Sequence, residues 1–172
     1  STLFPYTTLF RSTNLYSDDY VVRTWQKEQT TKIQPKVREI FKDMPVDVKV
    51  RLGVIDPNVE RTFTLKKPTF EEVFLTENKV GQRGNLVYGL DFKYDSSIKD
   101  EDRFASGVYE MIEYTKNMGV SPKDISVDMY LSKGGKLISK GYCNSDKLSS
   151  INELKSCIDI TKNTPVEEGD RW

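Results

Sequence analysis

Two cysteines are the residues whose type and spacing most directly suggest chemistry in this 172-residue chain. Cys143 ends a segment with strand character, and Cys157 lies 14 residues later on the apolar edge of the last predicted helix. A helix that packs back on its own strand would bring the two sulfurs together, and in an oxidising compartment they would form a disulfide. The alternative is a pair of buried free thiols that pack as small hydrophobic side chains.

The lack of histidine removes most of the familiar catalytic and metal-binding chemistry. A Ser-His-Asp triad, a Cys-His pair and a His-based zinc site all require an imidazole. Two cysteines also cannot fill a four-thiolate zinc site. We therefore expect no catalytic residue, no metal site and no cofactor.

Charged and polar side chains recur at alternate positions of three predicted strands. If the strands are neighbours, these side chains form cross-strand ion pairs on a solvated surface, or a mixed-charge face that docks a protein partner. A carboxylate pair such as Asp91 and Asp128 could in principle do acid–base chemistry, as in glycosidases, although no local motif supports this. The candidate residues of this face are Lys49, Arg51, Asp91, Lys93, Asp128 and Tyr130.

The charge balance gives no reason to expect nucleic acid as a partner. The chain carries 26 Lys and Arg residues against 26 Asp and Glu residues, so it has no net field that would attract a phosphate backbone. The loop over residues 81–85 lacks the spacing of a phosphate-binding loop. No run of about 18 apolar residues is present, so we expect no transmembrane segment in this chain.

Alternating apolar residues predict five strands, over residues 46–54, 61–67, 86–94, 125–131 and 137–142. Turn residues join the first two strands, and Gly134-Gly135 joins the last two as a hairpin. The third and fourth strands are connected through a helix, so this pair is expected to be parallel if its members are adjacent.

Apolar residues at helical spacing predict a helix over residues 18–44 and three shorter helices further on. Pro35 inside the first predicts a kink, or two helices that meet near Gln34. Thr69 and Glu72 have the spacing of a capping box at the start of the second helix. Gly119 is placed to end the third helix in a left-handed conformation. Together, the elements predict an α+β fold, a two-layer sandwich in which a mostly antiparallel five-stranded sheet has helices packed on one face.

The two ends of the chain differ from its middle. Residues 2–12, TLFPYTTLFRS, resemble the translation of a widely used DNA sequencing adapter; the alternative is a natural hydrophobic arm. We expect residues 1–12 to be a non-native segment, residues 13–161 to form one α+β domain, and residues 162–172 to be a loose polar C-terminal tail.

The lack of histidine-based catalytic and metal sites, together with the mixed-charge face, leads to a hypothesis about function. We expect a non-enzymatic interaction domain that binds a protein partner and comes from a bacterial envelope or secreted protein, outside the cytoplasm. One alternative is a cytoplasmic accessory or phage-type protein with both cysteines reduced. A second alternative is a carboxylate-based hydrolase. No feature of the sequence indicates an oligomeric state.

Overall fold

The computed structural model describes residues 6–54, 68–75, 86–143 and 148–172, with the backbone alone for residues 6–19. The elements follow one another in the order α1 (Tyr6–Ile40), β1 (Val46–Val54), α2 (Phe70–Phe74), β2 (Leu86–Asp95), α3 (Glu101–Asn117), a short 3-10 helix (Pro122–Asp124), β3 (Ile125–Lys133), β4 (Lys136–Cys143) and α4 (Ile151–Asn163).

The strands form one sheet in the order β1-β2-β3-β4. β1 and β2 are antiparallel, β2 and β3 are parallel, and β3 and β4 are antiparallel. The helices pack on the sheet, which confirms the predicted α+β sandwich and the parallel pair joined through a helix. The predicted strand over residues 61–67 lies outside the described residues, and within them the sheet has four strands.

Alternation along β1 explains why one face of the sheet is dry. Val48, Val50 and Leu52 are buried against the helices, whereas Asp47 and Lys49 are exposed on the opposite face. Because successive side chains of a strand point to opposite faces, this pattern fixes which side of β1 meets the core. The same core takes in aromatic side chains from β2 and from the helices.

Helix α1 starts earlier than expected and continues through Pro35 as one helix. Of the two expected alternatives, a kink at Pro35 or two helices that meet near Gln34, the second is therefore wrong. Residues 6–12 of the adapter-like segment lie in its first turns. Proline removes one backbone hydrogen bond from a helix interior. Ile33, Val37 and Phe41 are buried on both sides of Pro35, and burial of such side chains is worth about 1.5–3 kcal/mol each, which offsets that loss.

A row of polar side chains on α1 bonds to the backbone of β1. Gln26, Thr30 and Gln34 recur every four residues and so share one face of the helix. The Leu52 amide donates to Gln26 Oε1 at 3.1 Å and the Val50 amide to Thr30 Oγ1 at 3.0 Å. Gln34 Nε2 donates to the Val48 carbonyl oxygen at 3.1 Å. These backbone groups, which point away from β2, are therefore satisfied by helix side chains instead of by another strand.

Local signals in the sequence are realised at several element ends. Thr69 and Glu72 form the predicted capping box of α2. Gly134 and Gly135 both have positive φ angles, of 56° and 79°, in the turn between β3 and β4. Gly119 has a φ angle of 98° just after α3, as expected for the residue that ends a helix in the left-handed region.

Helix α4 packs very closely on β4. A Cβ atom at Gly141 would lie 2.0 Å from Thr161 Oγ1, so only glycine permits this approach. Near this contact the sulfurs of Cys143 and Cys157 are bonded, with the two Cα atoms 5.6 Å apart, a usual spacing for a disulfide. Both residues are buried. The bridge thus joins a helix to the strand that precedes it, as the sequence suggested.

Candidate functional site

All six predicted face residues lie together on the side of the sheet opposite the helices, which we call the outer face. Lys49 pairs with Asp91 across β1 and β2, and Asp91 pairs with Asp128 across β2 and β3. In the same way Lys93 pairs with Tyr130, and Lys140 of β4 is the next residue in that row. The alternation in each strand and the register between strands therefore produce one continuous charged surface.

Arg51 holds two carboxylates at the centre of the outer face. Its Nε atom lies 3.3 Å from both carboxylate oxygens of Asp91, and its Nη2 atom donates to the carboxylate of Asp128. To reach Asp128, the side chain must cross β2 above Gly89, the residue paired with Arg51. A Cβ atom at position 89 would lie 2.9 Å from Nη2. Glycine at this position therefore leaves the space that the arginine occupies.

The Asp91 carboxyl group has an unusual protonation equilibrium. Its pKa is raised to about 6 from an ordinary value of 3.8, mainly by burial and to a smaller extent by the charge of Asp128, while Arg51 acts in the opposite direction. The side chains of Asp91 and Asp128 are 13% and 10% exposed, against 40% for Arg51. Both carboxylates are thus less exposed than the guanidinium that they share. At Asp91, burial is a larger effect on the pKa than the charge of Arg51.

Residues 164–172, which we call the terminal segment, run along the edge of β4 and then across the outer face. The Lys140 amide donates to the Thr164 carbonyl oxygen at 3.2 Å, and Pro165 forms an antiparallel bridge with Ser139. Further on, the Asp170 carboxylate lies 3.2 Å from Lys140 Nζ. Composition indicated a loose tail here, whereas the structure places the segment in contact with the sheet.

Trp172 forms the last contact of the terminal segment. Its ring lies edge-on to Tyr130, with the ring centroids 5.1 Å apart. The Nζ atoms of Lys49 and Lys93 lie 4.5 Å and 5.3 Å from the indole centroid, within the range of cation–π attraction. Between Lys140 and Lys49 the segment therefore contacts side chains from all four strands.

The sequence pattern does not indicate three residues of this site, which are Gly89, Lys140 and Trp172. A tryptophan among acidic residues was the available signal, because segments that stay unfolded are poor in aromatic side chains. Lys140 lies on β4, and the predicted face takes its residues from the other three strands. Gly89 gave no signal, since its role depends on the path of the Arg51 side chain.

The outer face presents charged side chains and an aromatic contact, the types of group found at the surfaces by which proteins bind one another. A carboxyl group with a raised pKa beside a second carboxylate also has the features of a general acid. Two cavities, of about 330 and 730 Å³, lie elsewhere, beside Tyr94 and along the exposed side of α1. Within the described ranges, no group of three or more metal-ligating side chains comes together.

Two further results bear on the class of protein. Among the described residues, no helix has the length and apolar character needed to cross a membrane. The disulfide is compatible with a location outside the cytoplasm and does not establish it. Comparison with protein-family models, curated proteins and solved structures found no match to this chain.

Proposed function

We propose that this protein is a non-enzymatic interaction domain that binds a protein partner through its outer face, in an oxidising compartment such as a bacterial envelope. The observation that carries the proposal is the contact of residues 164–172 with this face. Lysine side chains of three strands and the ring of Tyr130 receive a carboxylate and an indole there. A surface that takes up a charged and aromatic segment of its own chain has the chemistry to take up one from a partner.

The central ion pairs support the proposal because they fix the geometry of the face. Arg51 contacts both Asp91 and Asp128, and Lys93 pairs with Asp47 at 3.3 Å. Charges held in place by partners lose less conformational freedom on binding than free side chains do. The lysines beside them then present positive charge to a ligand in a defined arrangement.

A selection from a random peptide library tests the binding function directly. The bait is the full chain carrying Trp172→Ala, which removes the indole from the face. The second bait carries Lys49→Glu and Lys93→Glu in addition to Trp172→Ala. The third bait, a charge control, carries Trp172→Ala with Lys42→Glu and Lys123→Glu, two exposed lysines outside the outer face. We expect enriched peptides that bind the first and third baits and not the second. Peptides that bind all three equally, or no enrichment at all, would overturn the proposal.

The compartment is tested by counting thiols in natively produced protein after denaturation without reductant. A chain that folds in an oxidising compartment should give no titratable thiol, because Cys143 and Cys157 are bonded. Two titratable thiols would remove the support for this location and favour the cytoplasmic alternative.

The raised pKa of Asp91 is the observation that favours a second candidate, a carboxylate-based hydrolase. In the structure, Arg51 contacts both carboxylates, so a substrate would have to displace it to reach them. Hydrolysis of a panel of glycosides that is lost in an Asp91→Asn variant would support this candidate over the binding domain.

A further inference from the structure

We propose that the ligand of the outer face is an extended partner segment with a carboxylate two residues before an aromatic ring, and that residues 164–172 occupy the site as an internal copy of it. The inference rests on the proposed function and adds the chemistry of the ligand and a means of regulation. Asp170 and Trp172 stand in for the partner's two anchoring groups.

The first part of the site is the exposed edge of β4, which binds backbone. The Lys140 amide donates to the carbonyl oxygen of Thr164, and Pro165 lies opposite Ser139 in an antiparallel bridge. Backbone pairing of this kind accepts any extended segment, so it supplies orientation and little selectivity.

The second part of the site selects a carboxylate. Lys140 Nζ lies 3.2 Å from Asp170 Oδ1, and the two side chains are 35% and 20% exposed. The other oxygen of Asp170 accepts the Glu167 amide at 3.0 Å, while the Asp170 amide donates to the Glu167 carbonyl oxygen at 3.1 Å. This small turn directs the carboxylate at the lysine and leads the chain on towards β1.

The third part of the site selects an aromatic ring. The indole of Trp172 contacts Tyr130 in a T-shaped arrangement of the two rings and lies below the ammonium groups of Lys49 and Lys93. An aliphatic side chain at this position would lose the electrostatic attraction between the ring face and the two cations. Aromatic residues are also the usual anchors of protein interfaces.

The internal copy is held loosely enough to be exchanged. Six of its nine residues are exposed, and Trp172 is only half-buried. Its ion pair lies near the surface, where water and salt weaken such pairs. A tethered segment nevertheless competes at an effective concentration in the millimolar range. We therefore infer that the segment keeps the site closed to weak ligands and opens it to a segment that binds more tightly.

The test uses a synthetic peptide of residues 164–172, TPVEEGDRW, labelled with fluorescein at its amino end. The receptor is the full chain with Asp170→Asn and Trp172→Ala, which we call the released variant, and wild type is the comparison. We expect fluorescence anisotropy to give at least tenfold tighter binding to the released variant. A peptide in which the same Asp and Trp are replaced by Asn and Ala should bind at least tenfold more weakly.

Matched receptors locate the binding. Lys49→Glu with Lys93→Glu in the released variant should weaken peptide binding at least tenfold, whereas Lys42→Glu with Lys123→Glu should not. Thermal unfolding establishes that each receptor is folded. Three results would overturn the inference. The peptide could fail to bind the folded released variant, bind wild type equally tightly, or bind equally tightly after Lys49 and Lys93 are replaced.

A dimer of wild type that grows with concentration and is lost in the released variant would show that the segment serves a second copy, which also overturns it. The peptide selection above separates this inference from the proposed function. If that selection yields ligands dependent on the face while the TPVEEGDRW peptide fails to bind, the ligand chemistry is wrong and the binding function stands. If the selection itself yields none, the binding function falls.

Discussion

Asp91 is a residue of the outer face whose protonation depends on burial and on two neighbouring charges. Its carboxylate is desolvated by the sheet around it, attracted by Arg51 and repelled by Asp128. Since the desolvation is the largest of these effects, the folded chain binds a proton at this position more tightly than the unfolded chain does. The face therefore has a charge that changes between mildly acidic and neutral pH.

Asp91 should make the free energy of unfolding fall as the pH rises from about 4 to about 6. Well below pH 3.8 the group is protonated in both states, so the free energy of unfolding does not change with pH on its account. Between the ordinary pKa of 3.8 and the folded value of about 6, the folded state alone keeps the proton, and above pH 6 the ionised group destabilises it by up to about 3 kcal/mol. Carboxyl carbon shifts measured by NMR should titrate with a midpoint near 6, and urea unfolding of Asp91→Asn should lack this contribution. A midpoint near 4 would contradict the assignment.

Gly89→Ala tests whether the path of Arg51 depends on glycine. The added Cβ would lie 2.9 Å from Arg51 Nη2 and 3.2 Å from its Cβ, so the arginine must move away from Asp128. Because Asp128 is only 10% exposed and would lose this partner, we expect a loss of about 1–3 kcal/mol in the free energy of unfolding. Gly53→Ala is the matched control, because its Cβ would meet Val87 at an ordinary 3.5 Å. Equal effects of the two substitutions in urea unfolding would argue against a special role for Gly89.

At the scale of elements, α1 and β1 are joined by polar contacts as well as by the core. Thr30 Oγ1 accepts the amide of Val50, a residue that is 1% exposed. Thr30→Val keeps the shape and leaves this buried amide without a partner, which should cost about 1–3 kcal/mol. Thr31→Val is the control, since the exposed Thr31 donates its hydroxyl to the Lys27 carbonyl oxygen of its own helix. Hydrogen exchange of the Val50 amide should speed up in the first variant alone, and a similar change in both would contradict this contact.

Short sequence patterns predict a helix or strand well where a single local interaction determines that element. The alternation of β1 and the capping box of Thr69 and Glu72 are of this kind, and both are present in the structure. The hydrogen bonds of Gln26, Thr30 and Gln34 could not be predicted from the sequence, because their partners are backbone groups at the edge of β1 that only the folded structure brings near. Continuation of α1 through Pro35 likewise depends on burial of the flanking residues against other elements.

For the whole molecule, the disulfide adds stability by restricting the unfolded chain. The bridge closes a short loop between β4 and α4, for which we expect about 3 kcal/mol. The Cys143→Ala and Cys157→Ala double variant should therefore melt about 6–12 °C lower than the oxidised protein. Because both cysteines are buried, reductant should act slowly until the chain unfolds. An unchanged melting temperature would show that the bridge does not constrain the fold.

The candidate site illustrates what a sequence can and cannot provide at this scale. Alternation placed Asp91 and Asp128 on the wet side of their strands, and the helical connection predicted that these strands are parallel if adjacent. The structure makes them neighbours. The contact of Trp172 with Tyr130 is different, because it joins residues far apart in the chain across a surface that exists only after folding. Polar composition therefore indicated a loose tail where the structure has a bound segment.

A nuclear Overhauser experiment on the full chain tests most directly whether the outer face takes up an acidic and aromatic segment. With ring centroids 5.1 Å apart, cross-peaks are expected between the indole protons of Trp172 and the ring protons of Tyr130. Further cross-peaks should join the indole to the side-chain methylenes of Lys49 and Lys93, and all of them should vanish when these lysines are replaced by glutamate. A Trp172 indole with random-coil shifts and no cross-peak to Tyr130 in folded wild type would contradict the proposed site.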